Sequence, residues 1–302
     1  MNPTITKIAT LTGHDGSVYT VIPSIESGKI LSGSSDKIVS EWSLDGKTPP
    51  HAIAQAGGII YALCVLPKKH QLLIGTSTGG VHVVDLIQKK ETRLLQLHRH
   101  AIFNLLYSEK HQLIYSAGGD GSLIALAADD LSVRKVVQLC KEKVRQVALH
   151  PQRDEIAVAC GEGSIRILDA FSLEEITKID AHLLSANCVV FHLDGKYLIS
   201  GGRDAHLKIW DRGTYKLIKS IPAHNYAVYG ISFSPDQKMF ATASRDKTIK
   251  IWDAETFEIL YRIDKEKYDG HLNSVNCICW MEFHNYLVSA GDDRSIRVWS
   301  VG

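Results

Sequence analysis

Short runs in which apolar and polar residues alternate follow one another along the chain, separated by turn residues, and their period is two rather than helical. One stretch shows this clearly: Ala227 to Phe233 and Met239 to Ala243 alternate on either side of the turn signal Ser234-Pro235-Asp236-Gln237. A third run, Thr248 to Trp252, and a fourth, Ile259 to Ile263, follow. Period-two alternation is typical of half-buried β-strands, so the stretch is predicted to form four short antiparallel strands.

The same unit recurs at fixed spacing. Successive steps of 42 residues back from Asp246, and one step of 47 forward, give seven turn positions: Asp36, Thr78, Asp120, Glu162, Asp204, Asp246 and Asp293. A four-stranded sheet of this size cannot bury both faces alone, so the seven units must pack face to face. We therefore predict an all-β fold, a seven-bladed β-propeller of four-stranded antiparallel blades that occupies residues 1–302 as one domain.

Four polar positions recur in register with the turn residue: a His 22 residues before it, a Ser or Thr four before it, the acidic turn residue itself, and a Trp six after it. Buried imidazoles and carboxylates are costly unless they are hydrogen-bonded, so groups that are kept or lost together are best explained as touching. Copies 1, 5, 6 and 7 are predicted to hold structural tetrads. These are His14, Ser32, Asp36 and Trp42 in copy 1; His182, Ser200, Asp204 and Trp210 in copy 5; His224, Thr242, Asp246 and Trp252 in copy 6; and His271, Ser289, Asp293 and Trp299 in copy 7.

The other copies depart from this pattern. Copy 3 keeps His98, Ser116 and Asp120, whereas copies 2 and 4 lose the set and carry Thr78 and Glu162 at the turn. Copy 7 ends after its third strand, so an N-terminal strand at about residues 4–11 is expected to complete the last blade and close the ring. The five-residue excess of the last period lies around residues 265–269, where we expect a distinctive loop.

These residues resemble the WD-repeat (WD40) β-propeller family. Gly13-His14, Gly270-His271, Trp210-Asp211 and Trp252-Asp253 match the signature dipeptides of that family, and the match covers essentially the whole chain. The resemblance implies that the tetrads are structural. It also implies a non-catalytic interaction scaffold or adaptor, whose top face around the central channel takes peptides or partner proteins.

Composition narrows the class of partner and the compartment. A net charge of +1, with 22% charged residues, gives no global reason to expect nucleic acid or a membrane surface. No run of 18 apolar residues occurs, and residues 1–11 lack the features of a signal peptide. Most of the six cysteines lie within apolar alternating runs, so we expect free thiols and an intracellular, cytoplasmic protein, or a nuclear one if it is eukaryotic.

Three patterns could suggest chemistry. Asp, His and Ser recur as in a hydrolase triad, but five sets in register argue against one assembled catalytic site. His98-Arg99-His100 offers two metal ligands, although His98 already belongs to the tetrad position. Gly79-Gly80 and Gly118-Gly119 lie at hairpin turns without the strand-to-helix context of a phosphate loop. We therefore expect no enzyme activity, no metal site and no cofactor.

A different set of positions is predicted to surround one mouth of the channel. The residues five after the His position include four aromatics, and the neighbouring positions add basic groups from copies 4 to 6, beginning at Lys141. Aromatic residues and arginine dominate binding hot spots. The candidate partner-binding residues are Tyr19, Tyr61, Phe103, Lys143, Arg145, Asn187, Arg203, Tyr229, Arg245 and Asn276.

The hypothesis from these residues is that an extended segment with an apolar anchor and an acidic or phosphorylated group binds across this mouth. Three alternatives stay open. The tyrosines could merely pack the channel wall while the arginines are solvated. The protein could be a regulatory subunit of an enzyme complex, or the basic sector of copies 4 to 6 could bind nucleic acid, against which the near-neutral net charge counts.

Overall fold

A computed structural model describes residues 4–302 and shows seven four-stranded antiparallel sheets arranged as the blades of a propeller. The predicted all-β, seven-bladed fold is confirmed. The first strand of the chain is β1 (Ile5–Thr12). Blade 1 consists of β2 (Val18–Pro23), β3 (Lys29–Ser34), β4 (Ile38–Ser43) and β5 (His51–Gln55), and blade 2 of β6 (Ile60–Leu66), β7 (Gln71–Thr76), β8 (Gly80–Asp85) and β9 (Lys90–Gln96). Blade 3 consists of β10 (Ile102–Ser108), β11 (Leu113–Gly118), β12 (Ser122–Ala127) and β13 (Val133–Gln138).

Blades 4 to 7 repeat this order from the channel outward. Their strands are β14 (Val144–Leu149), β15 (Glu155–Cys160), β16 (Ser164–Asp169), β17 (Glu175–Asp180); β18 (Ala186–Phe191), β19 (Tyr197–Gly202), β20 (His206–Asp211), β21 (Leu217–Pro222); β22 (Val228–Phe233), β23 (Met239–Ser244), β24 (Ile249–Asp253), β25 (Ile259–Ile263); and β26 (Val275–Trp280), β27 (Tyr286–Gly291) and β28 (Ser295–Val301) with β1 outermost. Short 3₁₀ turns lie at Pro67–Lys69 and Phe283–Asn285. No helix within residues 4–302 is long and apolar enough to span a membrane.

The two ends of the described chain close the ring. Strand β1 pairs antiparallel with β28, with Leu11 opposite Ile296. The Thr4 amide donates to the Gly302 carbonyl at 2.6 Å, and the Gly302 amide donates back at 3.2 Å. Blade 7 therefore has four strands like the others, because its outermost strand comes from the other end of the chain.

The core lies between neighbouring blades and consists of seven clusters of buried apolar side chains. Close approach depends on small residues in the second strand of a blade. A Cβ at Gly75 would lie 2.8 Å from Ile102 Cγ2 of the next blade, and a Cβ at Gly201 would lie 2.6 Å from Val228 Cγ1. Glycine is therefore required there so that the β-branched residue of the next innermost strand can pack against the backbone.

The five-residue excess of the last period forms a helical turn, α1 (Lys265–Tyr268), rather than the loop expected from the sequence. The Asp264 side chain caps it by accepting a hydrogen bond from the Lys267 amide at 3.0 Å. Asp269, which follows the turn, pairs with Lys265 and with Lys7 of β1. The insertion is thus attached to the closing strand.

We expect Leu11→Ala to lower the free energy of unfolding by about 2–5 kcal/mol, because it removes a buried side chain from the closing strand and leaves a cavity. Leu11 is 5% exposed and packs in the cluster that joins blades 7 and 1. Chemical unfolding followed by circular dichroism measures the change. The matched control is Ile8→Ala on the same strand, where the side chain is 38% exposed. Equal losses in both variants would show that β1 contributes no core contacts.

Candidate functional site

The structure brings the members of each predicted tetrad together. In blade 1, His14 Nδ1 lies 2.6 Å from Asp36 Oδ2 and His14 Nε2 lies 2.7 Å from Ser32 Oγ. The Trp42 indole N–H donates to the same Ser32 Oγ at 2.7 Å. The Ser32 hydroxyl therefore donates to the His14 imidazole and accepts from the Trp42 indole. Each buried polar group of the tetrad thus has a hydrogen-bond partner.

Blades 5, 6 and 7 repeat this geometry. The His Nδ1 to Asp distances are 2.9 Å for His182, His224 and His271. The Trp indoles of these blades donate to Ser200, Thr242 and Ser289 at 3.0 Å. Blade 3 keeps the His98 contacts with Asp120 and Ser116, at 3.0 and 2.9 Å, without a Trp.

The tetrad carboxylate also fixes the loops beside the channel. Asp246 accepts hydrogen bonds from the Asn225 amide at 3.0 Å and from the Thr248 amide at 3.0 Å. Asn225 lies in the interblade loop, the segment that leads from the outermost strand of one blade to the innermost strand of the next. Each complete tetrad thus ties an interblade loop to the turn between the second and third strands of its blade.

Burial and hydrogen bonding set the charge states of these groups. Burial alone would raise the pKa of Asp204, but hydrogen bonds from His182 and two backbone amides lower it to about 2. Burial lowers the pKa of His98, His224 and His271 below the ordinary value, although each faces a carboxylate. The imidazoles of His98, His224 and His271 are therefore neutral near pH 7, and each of these three donates its Nδ1–H to the aspartate.

Blades 2 and 4 hold their turns by other means. In blade 2, the Gln96 amide donates to the carbonyls of Thr78 and His98, both at 2.9 Å. In blade 4, Arg166 bonds Glu162 at 3.1 Å and Glu175 at 2.5 Å. The turns of these two blades are thus held by local polar contacts outside the tetrad, and Gln138 repeats the Gln96 bonds in blade 3.

A cavity of about 740 Å³ opens at the centre of the ring. Nine of the ten predicted partner-binding residues line it. Arg203 does not, since it lies exposed outside the lining, so the cavity takes its basic side chains from blades 4 and 6 alone. Blade 5 contributes Asn187 instead. The basic sector expected from blades 4 to 6 thus reaches the cavity from blades 4 and 6, and the role of Arg203 stays a prediction.

A β-bulge in every innermost strand presents these side chains to the cavity. In blade 1, Val18 pairs with Ser34 and Thr20 pairs with Gly33, so Tyr19 is the extra residue. A bulge bends the strand and re-aims the side chain of the unpaired residue. The residues skipped in this way are Tyr19, Tyr61, Phe103, Arg145, Asn187, Tyr229 and Asn276.

The aromatic and basic side chains form one continuous row. The ring centroids of Tyr19 and Tyr61 lie 4.9 Å apart, and those of Tyr61 and Phe103 lie 5.5 Å apart. The Arg145 guanidinium carbon lies 4.8 Å from the Phe103 centroid, and Lys143 Nζ lies 5.7 Å from it. Blades 1 to 3 therefore present a row of tilted aromatic rings that ends at two cations of blade 4.

Arg145 differs from the other half-buried or buried arginines. Arg166, Arg212 and Arg297 pair with carboxylates. Arg145 makes no hydrogen bond and no salt bridge with any residue in the range 4–302, and burial lowers its pKa. Arg145 is half-buried and lines the central cavity, so its guanidinium is available to a bound anion.

The two asparagines of the ring are committed to the wall. Asn187 Nδ2 donates to the Val228 carbonyl of the next blade at 3.0 Å. Asn276 Nδ2 donates to the Val18 carbonyl at 3.1 Å and to Asp292 at 2.7 Å. Their amide nitrogens link adjacent innermost strands, which limits what they can offer to a partner.

Sequence reasoning missed an apolar rim. Leu183 is 91% exposed, and Leu184, Tyr226 and Leu272 are more than half exposed. All four follow the tetrad histidines of blades 5 to 7 by one or two residues, so they lie on the interblade loops. The sequence does contain a signal for this rim, because the residues that directly follow the His position in blades 1 to 4 are not large and apolar: they are Asp15, Gly57, Arg99 and Lys141. Arg245 extends over the Tyr226 ring at 5.9 Å.

No group of three or more His, Cys, Asp or Glu side chains suited to a metal ion occurs in the described part of the chain. His98 and His100 are separated by their roles, since His98 is buried in the blade 3 network.

The family model "WD domain, G-beta repeat" matches residues 5–43, 173–211, 215–253 and 264–300, which together make up half of the chain. The chain belongs to the WD40 family. The residues between the first two matches include blades 2 and 3 and most of blade 4, where the tetrads are incomplete or absent. WD40 proteins are generally non-catalytic scaffolds for protein interactions.

Relatives of this WD40 chain include Protein HIR1 of Aspergillus oryzae, 41% identical over 161 residues, which are 53% of this chain and 13% of that protein. Human WD repeat-containing protein 90 is 27% identical over 138 residues, 44% of this chain and 8% of that protein. Human THO complex subunit 6 is 28% identical over 142 residues, 43% of this chain and 40% of that protein. The matches thus cover less than half the length of each relative.

The WD40 β-propeller domain of Doa1 superimposes with a TM-score of 0.86 at 20% identity, covering 99% of this chain and 97% of that one. This likeness shows the fold.

We expect Thr242→Val to lower the free energy of unfolding, because the isosteric change leaves His224 Nε2 and the Trp252 N–H buried without hydrogen-bond partners. Each of these two unpaired groups should cost about 1–3 kcal/mol. Urea unfolding at pH 7.5 measures the loss. Thr10→Val, on the exposed face of β1, is the control and should change stability by less than about 0.5 kcal/mol. A Thr242→Val protein as stable as this control would contradict a hydrogen-bonded tetrad.

Acidification should destabilise the protein in two steps. Because burial lowers the pKa of His98, His224 and His271, the unfolded chain binds protons more readily below about pH 6.5. The free energy of unfolding is therefore expected to fall as pH decreases from 6.5, by at most about 1.4 kcal/mol per pH unit for each imidazole. A second loss follows below about pH 4, as Asp204, with its pKa of about 2, becomes protonated.

Urea unfolding at intervals between pH 7.5 and pH 4.5 tests the first step. His271→Asn should reduce the slope, whereas His284→Asn, which removes an exposed imidazole, should keep the slope of the wild type. A flat profile in the wild type over this interval would refute neutral buried imidazoles.

Proposed function

We propose that this WD40 propeller is a non-catalytic scaffold that binds an extended segment of a partner protein at the mouth of its channel. The observation that supports this most directly is the row of Tyr19, Tyr61 and Phe103, which ends at Arg145 inside the 740 Å³ cavity. Partially exposed aromatic rings in a concave site provide anchoring surface at small entropic cost, and the arginine adds a directional donor.

The chemistry of the row specifies the segment. Its apolar part suits an aromatic or aliphatic anchor, and the adjoining Arg145 and Lys143 suit an acidic or phosphorylated group one or two residues away. Arg145 pairs with no carboxylate among the described residues, so an anionic group of the bound segment would form its ion pair. Lys143 is exposed and can accompany it.

The apolar rim of Leu183, Leu184, Tyr226 and Leu272 extends the contact surface beyond the cavity. A single isolated apolar side chain on a surface is ordinary, but four on three consecutive interblade loops beside one mouth are typical of a docking face. Human THO complex subunit 6 is a subunit of a complex by its name. We infer that this chain likewise acts within an assembly, inside the cell.

A catalytic role is less well supported, because the His, Asp and Ser or Thr sets recur in five blades and hold loops rather than converge on a cleft. A regulatory subunit of an enzyme complex would use the same docking face. Binding of single-stranded nucleic acid has one observation in its favour, the aromatic rings beside cations, and the net charge of +1 against it.

Selection from a random peptide display library against the purified protein tests the proposal. We expect the enriched peptides to combine an aromatic or large aliphatic residue with Asp or Glu. Their affinity, measured by fluorescence polarisation, should fall at least tenfold with Tyr61→Ala, because the anchor loses its ring contacts, and at least tenfold with Arg145→Gln, which removes the charge.

Arg134→Gln, on the exposed outer strand β13, is the matched control and should bind like the wild type. Enriched peptides that bind Tyr61→Ala and wild type equally would refute the channel as the docking site. Peptides without acidic residues would remove the anionic part of the proposal. A fluorescent oligothymidine that binds more tightly than any peptide, with affinity falling steeply as salt rises, would favour nucleic acid.

A further inference from the structure

Two thiols of blade 4 lie at and beside the place where other blades carry the polar tetrad. Cys140 takes the His position, 22 residues before the turn residue Glu162, and Cys160 lies two residues before that turn. Cys140 is 7% exposed and Cys160 is fully buried, and both belong to one side-chain cluster. The pair does not depend on the proposed docking function.

The repeat itself shows that these two positions meet. In blade 5, a Cβ built on Gly202, which matches Cys160, would lie 2.5 Å from Cγ of His182, which matches Cys140. The Sγ of a cysteine occupies the place of a histidine Cγ, so the Cβ of the second cysteine faces the sulfur of the first. A disulfide puts each Cβ about 3 Å from the far sulfur, as its S–S bond of about 2.04 Å requires.

In blade 4 the two side chains share one buried cluster and lie close enough for each to shift the pKa of the other. The neighbouring Cys160 lowers the pKa of Cys140, while the neighbouring Cys140 and burial raise the pKa of Cys160. Cys140 Sγ also lies 3.1 Å from the Glu142 carbonyl. Cys140 is the more exposed of the two thiols, so an oxidant meets it first, whereas burial keeps the proton on Cys160.

We propose that Cys140 and Cys160 are a modification site, a dithiol that hydroperoxides oxidise to a disulfide. The Cys140 thiolate attacks the peroxide O–O bond and forms a sulfenic acid, and the released hydroxide takes up a proton to become water. Cys160 then attacks the sulfenic sulfur and the hydroxyl leaves as a second water, so two thiols and one hydrogen peroxide give one disulfide and two waters.

The bond would act on the rim of the channel. It would tie the interblade loop that precedes β14 to the end of β15, in a blade whose loop lacks the tetrad bonds. Lys143 lies in that loop, and Arg145 is the bulged residue of β14. Oxidation would therefore constrain the segment that carries both cations of the aromatic row.

Peroxide treatment of the native protein, followed by alkylation and tryptic mapping without reductant, tests the site. We expect peptide 136–141 joined to peptide 154–166, with a mass about 2 Da below the sum of the two reduced peptides. Titration should show two of the six thiols lost and restored by dithiothreitol. Cys160→Ser should abolish the link and leave a sulfenic acid at Cys140 that dimedone traps.

Cys64→Ser is the matched control and should keep the link, because burial raises the pKa of the Cys64 thiol to about 12 and leaves it unreactive. Circular dichroism before and after treatment establishes that the oxidised protein is folded. A native, folded protein that loses its accessible thiol without joining the two peptides, or that joins other cysteines equally, would overturn the proposal.

Discussion

Every blade depends on its neighbours, because a four-stranded sheet cannot cover both of its own faces. The buried apolar clusters lie between blades, and in blades 1, 2 and 5 a glycine in the second strand admits the β-branched side chain of the next blade. This arrangement is satisfied for all seven blades only when the ring is closed. The pairing of β1 with β28 supplies that closure, so the ends of the chain secure interfaces that are distant from them in sequence.

The features that recur were predictable from the sequence, and the reason is physical. The interblade packing and the buried hydrogen bonds recur from copy to copy. The residues that make them therefore recur at a fixed spacing, which can be recognised in the sequence. The turn at α1 could not be foreseen in this way, because Asp264 and its cap occur once. Arg203 and Arg245 hold the same position in their copies, yet only the second reaches the cavity.

The bulges were hidden for another reason. A bulge is a property of how two strands pair, and the residue that it displaces, such as Tyr61 or Arg145, leaves no mark on the alternation of the strand itself. The sequence indicated that these residues surround the same mouth of the channel. The contact between the aromatic rings and the guanidinium depends on how neighbouring blades pack, which the sequence pattern does not specify. Blade 4 concentrates the exceptions, since it lacks the tetrad and also carries both Cys140 with Cys160 and Arg145, which pairs with no carboxylate among the described residues.

The bulges also bear on how such a surface can change over evolutionary time. The seven ring residues are the ones omitted from the ladder between the first and second strands, so replacing their side chains need not disturb strand register. Asn187 and Asn276 differ from the other five, because their amides bond the next blade. If the proposed docking site is the functional one, recognition and folding are assigned largely to different residues of one strand. A lineage could then acquire new binding partners by substitutions at the other five positions while the scaffold beneath them is inherited unaltered.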